Sequence, residues 1–66
     1  MPSREDFEEI ANAVGALSER VADLTLDALR SQVDGESDAK ATERALASAR
    51  RSLVKAEQTL RGLSRD

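Results

Sequence analysis

The chain has 66 residues, a formal net charge of −3, one aromatic residue (Phe7) and neither Cys nor His. A chain this short holds one small core, worth about 3–5 kcal/mol by itself. The missing Cys and His exclude disulfides, an ordinary zinc site and His- or Cys-based catalysis, so further stability has to come from helices of another chain. There is no run of about 18 apolar residues and no signal-peptide core. A soluble, cytoplasmic protein without membrane attachment is therefore expected.

The pattern predicts one helical-hairpin domain over residues 1–66, with helix 1 at about 3–33, a turn at 34–37 and helix 2 at about 38–63. Ser3 starts the first helix as a capping box, its hydroxyl taking an orphan N–H and Asp6 reaching back. Glu5, Asp6, Glu8 and Glu9 then crowd the first two turns, where the positive end of the helix dipole favours them. Gly15, the one poor helix former inside, costs about 1 kcal/mol relative to Ala; it is either a site of close approach or a tolerated exposed glycine. Asp34-Gly35 ends the helix, with Gly35 suited to a left-handed C-terminal position. Ser37 is the expected cap of helix 2, and Arg61 and Arg65 sit near its negative end.

Apolar and small residues recur at alternating intervals of three and four on both sides of Gly35. Before it run Phe7, Ile10, Val14, Leu17, Val21, Leu24, Ala28 and Ser31; after it run Ala39, Thr42, Leu46, Ala49, Leu53, Ala56, Leu60 and Leu63. Their position numbers pair across the turn to a constant 70, the mark of an all-α, two-helix antiparallel coiled-coil hairpin. In heptad terms Phe7, Val14, Val21 and Ala28 are a positions and Ile10, Leu17, Leu24 and Ser31 are d positions. Helix 2 has Ala39, Leu46, Leu53 and Leu60 at a, with Thr42, Ala49, Ala56 and Leu63 at d. The residues beside this seam are small rather than charged (Ala11, Ala13, Ser18, Thr25, Ala45, Ser52, Thr59). Small flanks widen the apolar stripe, as helices of a four-helix bundle require. Pairing of two hairpins into such a bundle is expected.

A second stripe, Ala22, Leu26, Leu29 and Val33, repeats at four, three and four on helix 1, and Val54 and Ala47 lie outside the seam of helix 2. Leu26, Leu29, Val33 and Val54 are the candidate protein interface. They would serve either a different, larger protein or self-association into a homodimer or tetramer. Charge is divided as well: residues 1–38 carry ten acids and three bases, residues 39–66 three acids and seven bases. Arg44, Arg51 and Lys55 share an outer strip of helix 2, with Lys40, Arg50 and Arg61 beside it. They are the candidate contact for an acidic partner, the acidic helix 1 of a neighbouring chain being favoured over nucleic acid. No Tyr or Trp is available for base stacking, and the whole chain is acidic.

Chemistry is defined mostly by absence. Glu19, Asp23 and Asp27 follow one another at single turns and could hold a divalent cation only in an oligomer. Without a Glu-x-x-His motif no di-iron bundle is expected. No phosphate-cradling glycine loop exists. No catalytic residue, cofactor or metal is assigned, and an enzyme is not expected.

One family likeness stands in the C-terminal stretch. Leu53-Val54-Lys55-Ala56-Glu57-Gln58-Thr59-Leu60, followed by Leu63, resembles the end of the small subunit of bacterial exodeoxyribonuclease VII, and Phe7-Glu8-Glu9 is similar to that family's opening Phe-Glu. The resemblance covers these stretches only, and the break between helices comes later after Phe-Glu here than in that family. It implies a short helical accessory subunit that packs on a large catalytic subunit and contributes no catalytic residue. Two functions are thus expected, in order: a non-enzymatic protein–protein interaction module, either homo-oligomeric or an accessory subunit, and an accessory subunit of a nucleic-acid enzyme using the basic face of helix 2.

Overall fold

A computed structural model describes residues 1–33 and 38–65, with the side chains of residues 32 and 33 outside the description. Two α-helices, α1 (Arg4–Val33) and α2 (Ala39–Ser64), pack against each other as an antiparallel hairpin of 50 × 15 × 14 Å. At about 1.5 Å per residue their 30 and 26 residues give rods of roughly 45 and 39 Å. The predicted turn at 34–37, with Gly35 and Ser37, lies outside the described residues.

The start of α1 is set by the predicted capping box. The Asp6 N–H donates to Ser3 Oγ at 3.2 Å, and the Ser3 N–H donates to Asp6 Oδ2 at 2.9 Å. Two orphan donors are satisfied reciprocally. Asp38 occupies the capping position of α2, where its carbonyl accepts the Thr42 N–H at 3.0 Å and its side chain makes no capping bond.

The helices meet on a different line from the expected seam. The a residues behave as predicted: Ala28 and Ala39 are buried, and Phe7, Val14, Val21, Leu46, Leu53 and Leu60 are half-buried. The large d residues are not inside. Ile10 is 51% exposed, Leu17 55%, Leu24 41% and Leu63 53%. Their places are taken by small flanking residues: Ala11 has no exposed surface, Ser18 is 4% exposed and Thr25 is half-buried. In α2 the inward face likewise includes Glu43, Ala47, Val54 and Glu57, while Thr42, Ala49 and Ala56 point out. Each helix has turned about 50° from the a/d line towards its e positions, which brings the small flank of α1 (Ala11, Ser18, Thr25) inside and leaves that of α2 (Ala45, Ser52, Thr59) exposed.

Side-chain size accounts for the turn. Interaxial distance is set by the residues at the contact, and Ala11, Ser18 and Ala28 allow closer approach than Ile10, Leu17 and Leu24 would. Thr25 donates back to the Val21 carbonyl at 2.9 Å and Thr59 to that of Lys55 at 3.0 Å. Such hydroxyls bring their own partners to the seam and its margins. Among the described residues no buried side-chain N or O lacks a partner, and no large side chain is fully buried.

Candidate functional site

Turning both helices leaves a groove on the side of Ala22 and Leu26 of α1 and Ala47 and Val54 of α2. Ala22, Thr25 and Leu26 of α1 form one wall; Ala47, Arg50, Arg51, Val54, Lys55 and Gln58 of α2 form the other. The groove encloses about 930 Å³. Its floor is apolar because Ala22, Leu26, Ala47 and Val54 were displaced to this side. Its α2 rim is cationic because Arg51 and Lys55 follow Ala47 and Val54 round the helix.

A smaller hollow of about 390 Å³ continues the groove towards the chain ends, sharing Arg50 and Val54 with it. This part is polar. Arg61 donates from Nη2 and Nε to Glu57 Oε2 at 2.7 and 2.9 Å, and from Nη1 to Asn12 Oδ1 at 3.2 Å. The last bond ties the helices together across 49 positions of sequence. Gly15 makes room for this cluster: a Cβ there would stand 2.9 Å from Glu57 Oε2. The three nearest atoms to such a Cβ all belong to the flexible end of the Glu57 side chain.

The predicted interface residues are brought together in part. Leu26 and Val54, named from separate helices, both line the groove, and Arg51 and Lys55 border it. Leu29 is 40% exposed but does not line the groove. Arg44 is exposed and also lies outside it. Val33 as an interface residue lies outside the described side chains. Both ion pairs among the described residues run within a helix, Arg30–Asp27 at 3.3 Å and Arg61–Glu57 at 2.7 Å. The opposite charges of the two helices therefore do not meet as direct interhelical pairs there, and Arg50, Arg51 and Lys55 have no ionic partner among those residues.

Sequence reading missed Asn12 and Glu57. The four-residue spacing of Glu57 and Arg61 would have flagged their pair. Nothing local marks Asn12, whose partner comes from the other helix. Glu19, Asp23 and Asp27 do not converge, and among the described residues no group of three or more acids is placed to hold a metal ion. No described helix is long and apolar enough to cross a membrane.

In binding terms the groove offers methyl groups on its floor and guanidinium and ammonium groups on its rim. That lining suits a helix with an apolar face bordered by carboxylates. No protein-family model, curated protein or solved structure matches the chain. The likeness of residues 53–60 to the exodeoxyribonuclease VII small subunit therefore carries no family assignment.

Proposed function

We propose that this chain is a non-enzymatic protein–protein interaction module, a hairpin that pairs into a four-helix bundle or serves as an accessory subunit of a larger protein. The observation that carries this reading is the inverted burial. The residues inside are Ala11, Ser18, Ala28 and Ala39, while Ile10, Leu17, Leu24, Leu26, Leu29 and Leu63 are at least 40% exposed. Fully burying one Leu or Ile is worth about 1.5–3 kcal/mol, so most of the available hydrophobic stabilisation is left for another chain to realise. The Leu26–Val54 groove is the surface for a larger protein, with Arg50, Arg51 and Lys55 selecting an acidic helix.

Thermal melting by circular dichroism over a hundredfold range of concentration tests the reading. A midpoint that rises with concentration, as mass action requires of an oligomer, supports it. Weak, non-cooperative helicity also supports it, as the behaviour of a subunit lacking its partner. A cooperative transition independent of concentration would show a self-sufficient hairpin and refute it.

A second reading, an accessory subunit of a nucleic-acid enzyme, draws on Arg44, Arg51 and Lys55, whose side chains have no ionic partner among the described residues. It predicts binding to DNA or RNA that weakens steeply with salt. Failure to retard either at low salt would remove it.

A further inference from the structure

The flank opposite the groove is a second unpartnered surface. It carries Ile10, Leu17 and Leu24 on α1 and Ala49, Ala56 and Leu63 on α2, all exposed. These share one side because equivalent heptad positions of two antiparallel helices fall on the same side of their seam. We infer that this flank is where two copies of the chain pair. The two-fold axis runs along the hairpin, the copies point the same way, and α1 of each lies on α2 of the other. The inference rests on the interaction-module reading and names its first partner, a second copy, and the face it uses.

Size, charge and area each argue for this occupant. Asn12 meets Arg61 and Gly15 meets Glu57, position numbers adding to 73 and 72, which brings 10 within about a residue of the level of 63, 17 of 56 and 24 of 49. An axis along the hairpin keeps those levels across the interface. Leu17 then meets Ala56 of the second copy and Leu24 meets Ala49, large on small, each contact made twice. Charge favours the same crosswise arrangement, since α1 carries seven acids and three bases and α2 two acids and six bases. The opposed arrangement, with the axis across the hairpin, would set acidic α1 on acidic α1 and alanine on alanine.

Area agrees. A compact monomer of 7.1 kDa exposes roughly 4,100 Å², whereas the hairpin exposes 5037 Å². The excess of roughly 900 Å², taken over the whole elongated surface, is on the scale of the ~800 Å² that each partner contributes to a standard interface.

Because the sequence has no Cys, single introduced thiols report the pairing without interference. Leu17→Cys and Ala56→Cys chains would be oxidised separately and as an equimolar mixture. The mixture is expected to give a mixed disulfide dimer in clear excess over the statistical half, with little Leu17→Cys homodimer. Ready formation of the Leu17→Cys homodimer would mean opposed copies and overturn the inference.

Light scattering then separates this inference from the reading beneath it. Leu17→Glu with Leu24→Glu should be monomeric, whereas Leu26→Asp with Leu29→Asp, on the groove side, should remain a dimer. If only the groove variant dissociates, the copies meet through the groove; the inference falls and the interaction-module reading stands. A wild-type monomer that melts cooperatively at a concentration-independent midpoint would overturn both. Should the glutamate variant lose its helices, the disulfide pattern still decides the inference.

Discussion

Ala11→Leu tests which line joins the helices. Ala11 has no exposed surface, and it sits where the backbones approach because its side chain is small. An added isopropyl group there has no void to enter. Overpacking of this kind costs about 1–3 kcal/mol. For a domain of this size each kcal/mol moves the midpoint by about 4–8 °C, so a central cost of about 2 kcal/mol lowers it by roughly 8–16 °C. If the helices met instead on Ile10 and Leu17, Ala11 would be a flanking residue. A leucine there would then be neutral or would add apolar burial. The assay is melting of wild type and variant by circular dichroism at matched concentrations. A variant at least as stable as wild type would refute the small-residue seam.

Other perturbations probe separate parts of the fold. Ser3→Ala removes one arm of the reciprocal bonds with Asp6 and should cost about 1 kcal/mol, seen as fraying of the first turn in amide exchange; unchanged protection there would contradict the cap. Gly15→Ala gains about 1 kcal/mol of helix propensity but pushes against Glu57, a flexible side chain that can shift. The expected net effect is a rise in midpoint of about 2–4 °C, and a fall would show that Glu57 cannot move. Arg61→Ala loses a partly exposed ion pair and the bond to Asn12, together worth about 0.5–1 kcal/mol. That difference should shrink in high salt, and a salt-independent loss would mean packing rather than charge holds Arg61.

Much of the fold could be read from the sequence, for identifiable reasons. Ser3 and Asp6 are a local signal, so the start of α1 was predictable to within a residue. The antiparallel register was accessible to within about one helical turn: the repeat pairs positions to 70, while Asn12 with Arg61 and Gly15 with Glu57 pair to 73 and 72. The rotation of the helices was not accessible. Heptad periodicity finds a stripe, but when a, d and e are all apolar or small it does not say where the stripe is centred. Ile10 and Leu17 at d looked like core because they are large; Ala11 and Ser18 at e became core because they are small.

The same rotation explains the partial reading of the site. Leu26 and Val54 were each visible as apolar positions off the seam, but only the turn of both helices puts them in the lining of one groove. Leu29, a neighbour of Leu26 by sequence spacing, falls outside that groove, as does Arg44 on the basic strip. Asn12 carried no sequence signal because its role depends on an arginine from the other helix. What a two-helix chain leaves outward is therefore set by its tightest packing rather than by its largest residues.

A hairpin that closes on the small residues of α1 and turns Leu17 and Leu24 to a second copy makes a defined set of contacts between chains. Isotope-filtered nuclear Overhauser spectra of a dimer assembled from one labelled and one unlabelled chain test it most directly. Intermolecular contacts are expected from the Leu17 methyls to Ala56 and from the Leu24 methyls to Ala49, with the Ala11 methyl touching only its own chain. Leu17 and Leu24 in contact only with helix α2 of their own chain would contradict it.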